Sequence, residues 1–237
     1  MPVDADIVAD ARKLKPRAVQ EVLKSEVTPV YRIAYALAGR WDVGRGVARF
    51  VLNRSVRMMP KWKPDDDPAN WYHRFTVMTS RRSAHHRPDI RKDVLVEQAS
   101  PAAANQAEYV AFVAALRQLE AQQREAFLLW HGEKLNPRYC ALAMDCSTEA
   151  AQNHLKVAED ALRLVAGARY EPLVKTLEDA YAHLTPDSGQ LVPTVNNVVF
   201  RQVRLRRWLR RIILLLELIA IAALAWGGWK VYQIVRS

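Results

Sequence analysis

The residues best suited to chemistry in this sequence are aromatic side chains interleaved with cations between positions 61 and 82. Aromatic rings offer stacking surfaces for bases, and Lys and Arg offer charge for phosphates, which is the combination that single-stranded nucleic acids require. Core packing is the favoured alternative for Trp71, and a solvated helix end is an equal alternative for Arg81 and Arg82. The candidate nucleic-acid-binding residues of this segment are Lys61, Trp62, Lys63, Trp71, Arg74, Arg81 and Arg82.

A second candidate site lies on two helices that follow one another closely near position 147. Asn136-Pro137 predicts a helix start, because an N-cap side chain precedes proline at the first helical position, and Ser147 can cap the next helix. A short helix, a tight turn and a longer helix form a helix-turn-helix, whose second helix can read base edges. A small helical hairpin without DNA binding would show the same periodicity. The candidates here are Ser147, Thr148, Gln152, Asn153, His154 and Lys156.

The sequence carries no motif typical of a catalytic or metal site. The patterns GxxxxGK[ST], HExxH and GxSxG do not occur, and the two cysteines, Cys140 and Cys146, have no second pair at zinc-ligand spacing. His85 and His86 also have no carboxylate or thiol at such spacing. We therefore expect neither an enzyme activity nor a metal or other cofactor.

Apolar residues recur at helical spacing along most of the chain, which predicts an all-α protein. Two small helical modules are expected, separated by a segment rich in proline and small residues that is typical of a linker. The predicted divisions are an N-terminal extension (1–19), a first module (20–83), a linker (84–106), a second module (107–166), a helical extension with a basic segment (167–211), a transmembrane helix (212–232) and a short tail (233–237).

The transmembrane prediction depends on residues 212–229, which read IILLLELIAIAALAWGGW and contain one charge, Glu217. As a helix this run is roughly 27 Å long, close to the thickness of a bilayer's hydrocarbon core. A buried core helix or an interfacial helix is the alternative. Since positive charge stays on the cytosolic side, we expect a single-pass protein of the bacterial inner membrane with residues 1–211 cytoplasmic. The arginines expected to contact lipid headgroups are Arg204, Arg206, Arg207, Arg210 and Arg211.

Several segments resemble the group IV, or extracytoplasmic-function, sigma factors of bacterial RNA polymerase. The sequence YRIAYALAG at 31–39 resembles the opening helix of the family's second region, and residues 71–82 are similar to that region's closing WLYRI…RR pattern. LRQLEAQQREAFLL at 116–129 closely resembles the start of the fourth region, and residues 146–163 fit its recognition helix. The resemblance covers roughly residues 26–166.

This resemblance implies a two-module transcription factor. The second region would grip the polymerase core and open the −10 element of promoter DNA, and the fourth region would read the −35 element. It places polymerase contacts at Arg45, Arg49 and Asn53. A membrane-tethered regulator of this kind would have RNA polymerase core, promoter DNA, the membrane and an anti-sigma or other regulatory protein as partners.

Two departures from the family pattern support a different function. Where the family usually has an acidic pair and a glutamine, residues 44–49 of this chain read GRGVAR, so the charge is reversed. The net charge is +10 overall, but residues 93–200 contain more Asp and Glu than Lys and Arg, which weakens the attraction of the second module for phosphates. The alternative is therefore a sigma-derived adaptor that binds a protein partner at the membrane and no longer binds polymerase or promoters.

Overall fold

The computed structural model describes residues 4–64, 66–83, 89–104, 106–186 and 188–236, and within them it contains helices and turns but no strand. The all-α prediction agrees with these residues. Short 3₁₀ turns lie at Met59–Lys61, Ile90–Lys92 and Gly167–Arg169, and π-helical segments lie at Leu128–Gly132 and Phe200–Arg204. The α-helices are α1 (Ala5–Arg12), α2 (Pro16–Ala38), α3 (Trp41–Met58), α4 (Pro68–Ser83), α5 (Val94–Glu97), α6 (Pro101–Ala104), α7 (Ala107–Gln118), α8 (Ala121–Phe127), α9 (Pro137–Met144), α10 (Thr148–Ala166), α11 (Tyr170–Ala182), α12 (Ser188–Val199) and α13 (Leu205–Arg236).

The first bundle is built around α2, which packs against α1, α3 and α4. Helix α2 begins with Pro16, whose missing N–H costs nothing in the first turn. It ends at Gly39, which adopts a left-handed φ of 68° and donates its N–H to the Tyr35 carbonyl over 2.9 Å. Apolar side chains at helical spacing are buried along α2, so this helix supplies the centre of the bundle core: Val19, Val22, Leu23, Val27, Val30, Ile33, Ala34 and Leu37.

Helices α2 and α3 approach each other closely at Gly44. A Cβ atom at this position would lie 2.6 Å from Tyr35 Cδ1, 2.8 Å from Tyr35 Cα and 3.0 Å from the Ala34 carbonyl oxygen. Two of these three atoms belong to the backbone, so a side-chain rotation cannot relieve the overlap. The absence of a side chain at Gly44 therefore sets the distance between the two helices.

Replacing Gly44 with Ala should destabilise the protein by about 1–2 kcal/mol. Overpacking of this kind typically costs about 1–3 kcal/mol, and the better helix propensity of Ala returns up to about 1 kcal/mol. Gly46 is the matched control, because it lies in the same helix and a Cβ there would meet nothing within 4 Å. Gly46→Ala should therefore stabilise the protein, and chemical denaturation of both variants would refute the packing argument if their free energies of unfolding changed in the same direction.

The second bundle consists of α7 to α10, with α11 packed against the π-helical segment Leu128–Gly132. The predicted caps are present, since Asn136 Oδ1 accepts the Tyr139 N–H over 3.1 Å and Ser147 Oγ accepts the Ala150 N–H over 3.1 Å. The Tyr181 ring of α11 lies directly over Gly132. Helix α10 is held on one side by buried Ala151, Ala158 and Leu162.

The C-terminal part of the chain returns to the first bundle before it leaves the body of the protein. Helix α12 packs against α2, and the π-helical segment that follows packs against α3. Helix α13 then follows directly from that segment. Apolar side chains of α13 remain exposed: Leu205, Trp208, Leu209, Ile213, Leu214, Leu215, Leu216, Leu218, Ile219, Ile221, Leu224 and Trp226.

The prediction of a transmembrane helix over residues 212–232 is wrong. Within the described part of the chain, no helix is both long enough and apolar enough to cross a bilayer. The apolar run is one stretch of a longer helix that includes Glu217 and flanking cations, and a carboxylate within such a run is expensive in lipid. The single-pass inner-membrane localisation depends on this span and is wrong with it.

Candidate functional site

The nucleic-acid-binding candidates of α4 lie where the two bundles meet. Helix α4 packs against α9, and Arg81 Nε and Nη2 donate to the two carboxylate oxygens of Glu125 over 2.7 and 2.5 Å. Nη2 of Arg81 also donates to the Met144 carbonyl over 3.0 Å. Glu125 has only 3% of its side chain exposed. In this arrangement the Arg81 guanidinium holds the second bundle and is not free to contact a phosphate.

Burial has opposite consequences for the two members of this pair. Burial raises the pKa of the Glu125 carboxyl, and the hydrogen bonds and charge of Arg81 oppose that rise. The same hydrogen bonds to Glu125 raise the pKa of Arg81. The paired N–O contacts are those of an ionised carboxylate with a guanidinium, so we describe the pair as charged.

Two further arginines join buried or half-buried carboxylates across the molecule. Arg32 of α2 lies 3.1 Å from Glu133, whose other oxygen accepts the Tyr181 hydroxyl over 3.0 Å. Arg117 of α7 binds both oxygens of Asp93, at 2.6 and 2.9 Å, and donates to the Ala36 carbonyl of α2 over 2.6 Å. The bundles are thus held together by the pairs Arg81–Glu125 and Arg32–Glu133 and by the hydrogen bond from Arg117 to the Ala36 carbonyl.

Arg74 makes an exposed contact across the same interface. Its Nη2 atom lies 2.8 Å from Asp145 Oδ1, and about half of each side chain remains exposed. The pair borders a cleft of about 620 Å³ between α4 and α9. Because solvent screens exposed ion pairs, this contact contributes little stability and opens at low cost. The cleft is lined mainly by Asp66, Asp67, Asn70, Trp71, Leu142 and Cys146.

The predicted aromatic residues form a row of rings at the surface of the first bundle. Trp71 stacks on Phe75 with ring centroids 4.8 Å apart, and Phe75 stacks on Phe50 at 6.2 Å. Phe50 is 55% exposed, whereas Trp62 is buried at the other end of the row and 5.7 Å from Trp71. The structure therefore makes Phe50, rather than Trp62, the accessible stacking surface. Sequence reasoning misses Phe50 because the spacing of its neighbours assigns it to the apolar face of its helix.

The remaining cations of the first module are accessible. Lys61 and Lys63 are exposed beside the buried Trp62, and Arg82 is exposed at the end of α4. Lys63 donates its backbone N–H to Asp66 over 2.7 Å, which fixes the loop that leads into α4. These residues lie near the aromatic row in sequence and are available to a polyanion.

The candidates of the second module lie at the start of α10 or within its first half, and they differ in exposure and in structural role. Ser147 is the N-cap of α10, and its hydroxyl accepts a backbone N–H, so its role in this structure is to start the helix. His154 is half-buried. The exposed side chains of this set are Thr148, Gln152, Asn153 and Lys156.

The three candidate polymerase contacts lie in a row along α3, four residues apart. Arg45 and Arg49 are exposed, and Asn53 is half-buried. The Asn53 amide donates to the Arg49 carbonyl over 2.8 Å, and its oxygen accepts the Gln202 side-chain amide over 3.2 Å. The end of this row therefore touches the C-terminal part of the chain.

The candidate lipid contacts are described only in part. Arg204 and Arg211 are exposed and border a cavity of about 590 Å³ with Pro16, Phe200 and Trp208. The side chains of Arg206, Arg207 and Arg210 lie outside the described residues.

Two buried titratable groups, Glu26 of α2 and His73 of α4, influence how the first bundle responds to pH. Burial raises the pKa of Glu26 to about 7; the hydrogen bond from Ser25 opposes this rise, and the charges of Asp67 and Glu133 add to it. Burial lowers the pKa of His73 to about 4, opposed by Asp67. The raised pKa of Glu26 stabilises the folded protein below about pH 4.5, and this contribution is lost as the pH rises towards 7. The lowered pKa of His73 acts in the opposite direction, because its contribution to folding stability is lost as the pH falls from 6.5 towards 4. The two effects largely cancel in the native protein.

Replacing Glu26 with Gln should expose the contribution of His73. We expect Glu26→Gln to change the free energy of unfolding little near pH 4.5 and to increase it relative to the native chain by about 3 kcal/mol at pH 8, because the penalty for burying a carboxylate is removed. The stability of Glu26→Gln should fall on acidification from pH 6.5 to pH 4, where the native chain stays nearly level. Urea denaturation across this range tests the prediction, and a constant difference between the two proteins at every pH would contradict it.

Comparison with known proteins places the fold. No family model matches the sequence, and no curated protein matches it. Among solved structures, CnrH in complex with the cytosolic domain of CnrY is similar, with a TM-score of 0.56, 16% identity, and coverage of 68% of this chain and 96% of that one. This chain has the fold of CnrH. The sigma factor RpoE, solved with the anti-sigma factor NepR from Bartonella quintana, has a TM-score of 0.42 at 15% identity and covers 66% of this chain and 96% of its own.

The likeness to CnrH agrees with the all-α fold predicted from the sequence. About a third of this chain has no counterpart in CnrH. The sequence resemblance ends near residue 166, so the contacts that α11 and α12 make with the two bundles are not explained by it.

Proposed function

We propose that this protein is a sigma-factor-like transcription regulator that recruits RNA polymerase core to promoter DNA. A regulatory protein that binds this chain would control that activity. The observation that carries the proposal is the sigma-like fold, with its two helical modules in the family's order. CnrH and RpoE were each solved with a second protein bound, and RpoE's is an anti-sigma factor, which supports a regulatory protein as a partner here. In this proposal α3 docks polymerase, the aromatic row binds unpaired bases and α10 reads duplex DNA.

The test of this proposal is binding of the full chain to purified core polymerase. We expect a complex on gel filtration and promoter-dependent transcripts in vitro. Arg45→Glu with Arg49→Glu should weaken the complex roughly tenfold, because it reverses two charges on the docking row. Arg54→Glu is the matched control, since Arg54 is exposed on α3 but lies outside that row. Failure to bind core polymerase even at low salt, both by the native chain and by a variant whose residues 188–204 are released from α3, would refute the proposal.

The alternative, an adaptor without promoter activity, is supported by the use of arginines within the structure. Arg81 is committed to Glu125, and Arg74 is paired with Asp145, so two of the expected phosphate contacts are occupied. An adaptor would bind a protein partner with the two bundles closed. A promoter-dependent transcript or a stable complex with core polymerase would refute it, and a folded chain that binds neither core polymerase nor promoter DNA would support it.

A further inference from the structure

The Asn53 end of the row of candidate polymerase contacts on α3 is in contact with another part of the chain, because residues 188–204 pack against the same bundle. We call these residues the C-terminal cover. Three side-chain hydrogen bonds attach the cover to α2 and α3. The donor–acceptor pairs are Gln20 Nε2 to Asn196 Oδ1 at 2.9 Å, Gln202 Nε2 to Asn53 Oδ1 at 3.2 Å, and Arg57 Nε to Gln202 Oε1 at 3.3 Å.

The cover also contributes a stripe of apolar side chains to the core. Val195, Val198, Val199 and Val203 are each no more than 5% exposed, and their spacing of three and four residues places them on one helix face. Burial of four valines stabilises the covered arrangement by hydrophobic transfer. Val192, near the start of the cover, and Phe200 remain exposed, so the apolar side chains of the cover are only partly buried.

The contact that the polar edge of the cover makes with α3 is less favourable than the contact made by its buried valines. A cavity of about 260 Å³ lies between α3 and α12, and its walls include Arg49 and Arg201 together with Asn53, Thr194 and Asn197. No acidic side chain is among the described residues that line it. Two guanidinium groups at one small cavity repel each other, which weakens the attachment of the cover, and Arg49 on α3 would attract an acidic surface.

We propose that the C-terminal cover is a detachable, cis-acting inhibitor of the α3 docking row, and that an acidic surface of core polymerase displaces it by competing for Arg45 and Arg49. The inference rests on the proposed function. The hydrogen bonds hold the cover over the Asn53 end of the row, and the valines give it affinity for the bundle. Repulsion between Arg49 and Arg201 weakens this attachment, so that an acidic surface bound to the row can take the place of the cover. A chain whose docking row is covered most of the time binds polymerase with an affinity reduced by the fraction of uncovered molecules.

The experiment compares full-length variants with the cover released and with the cover fixed. Val195→Asp with Val199→Asp places two charges in the buried stripe and should release the cover, and Val192→Asp is the control at an exposed position of the same helix. Gln20→Cys with Asn196→Cys, in a Cys146→Ser background, can be joined by a short bis-maleimide to fix the cover. The same protein treated with N-ethylmaleimide is its unjoined control. Hydrogen exchange along α2, α3 and α12 reports the position of the cover, and titration with core polymerase reports docking.

We expect the released variant to bind core polymerase about tenfold more tightly than the native chain and the joined variant at least tenfold more weakly than its unjoined control. Exchange along α12 should rise in the released variant and fall in the joined one. Equal polymerase binding by released, native and joined chains would overturn the cover while the proposed function stands. If neither the native, the released nor the joined chain binds core polymerase, although hydrogen exchange shows that α12 is released, the proposed function is refuted. The inhibitory role of the cover is then refuted as well.

Discussion

Arg117→Ala should destabilise the protein by about 3–5 kcal/mol, which is the largest effect expected of any single replacement in this structure. Its partner Asp93 is completely buried, and Arg117 itself is 9% exposed. Removal of the guanidinium leaves a buried carboxylate without its counter-ion and leaves the Ala36 carbonyl without a donor. Thermal unfolding of the full chain should shift downward by roughly 10 °C.

The source of this loss can be separated by a double-mutant cycle. Asp93→Asn keeps the oxygen that accepts the Leu95 N–H and caps α5, while it removes the negative charge. Arg117→Ala with Asp93→Asn should therefore be clearly more stable than the sum of the two single replacements predicts. Arg169→Ala is the matched control, since its ion pair with Glu108 is about half exposed on both sides and should be worth less than about 1 kcal/mol. Additive single and double replacements would contradict a buried-charge origin.

Local features of the fold could be predicted from the sequence because they depend on neighbouring residues. The caps at Asn136 and Ser147 are made by side chains three residues from the N–H groups that they accept, so their sequence signature is complete within one turn. The helical spacing of buried side chains in α2 is likewise local. Such short-range signals are sufficient to predict an all-α chain that contains a helix-turn-helix.

Contacts between distant segments could not be predicted in the same way. The sequence allows Arg81 to be a phosphate contact or a solvated helix end, but its partner Glu125 lies 44 residues further along the chain. Residues 94–96 fall within the predicted linker, yet Val94, Leu95 and Val96 are buried. One sequence shows that a side chain can form a pair, but it does not show which distant side chain will meet it.

The wrong transmembrane prediction has a related origin. It depends on the apolar run at 212–229 taken in isolation, with Glu217 as a minor exception. The sequence of the segment that precedes the run gives no sign of what that segment contacts. In the structure, the segment returns to α2 and α3 and buries a stripe of valines. The functional interest of the C-terminal region therefore lies in residues 188–204 rather than in the apolar run.

Glu125→Gln is the second replacement with a large expected effect, and it tests whether Arg81 serves the interface alone or also nucleic acid. Glutamine keeps the shape of the side chain and one acceptor for Arg81, but it removes the charge that holds the guanidinium at 2.5–2.7 Å. We expect the free energy of unfolding to fall by about 2–3 kcal/mol. If Arg81 is then available to phosphates, affinity for a single-stranded oligonucleotide should rise several-fold and depend more steeply on salt.

Arg81→Gln removes the guanidinium of the same ion pair and leaves the carboxylate of Glu125 in place. It should destabilise the protein by about 3 kcal/mol, because the buried Glu125 loses its counter-ion, and it should not raise oligonucleotide affinity, because no guanidinium is released. Asp145→Asn is the control for opening the cleft without touching the buried pair, since it releases only the exposed Arg74 and should leave stability almost unchanged. Fluorescence anisotropy with a labelled oligonucleotide at two salt concentrations separates these outcomes. Loss of stability in both variants without a gain of oligonucleotide affinity in Glu125→Gln would mean that Arg81 only joins the bundles, which favours the adaptor over the promoter-binding regulator.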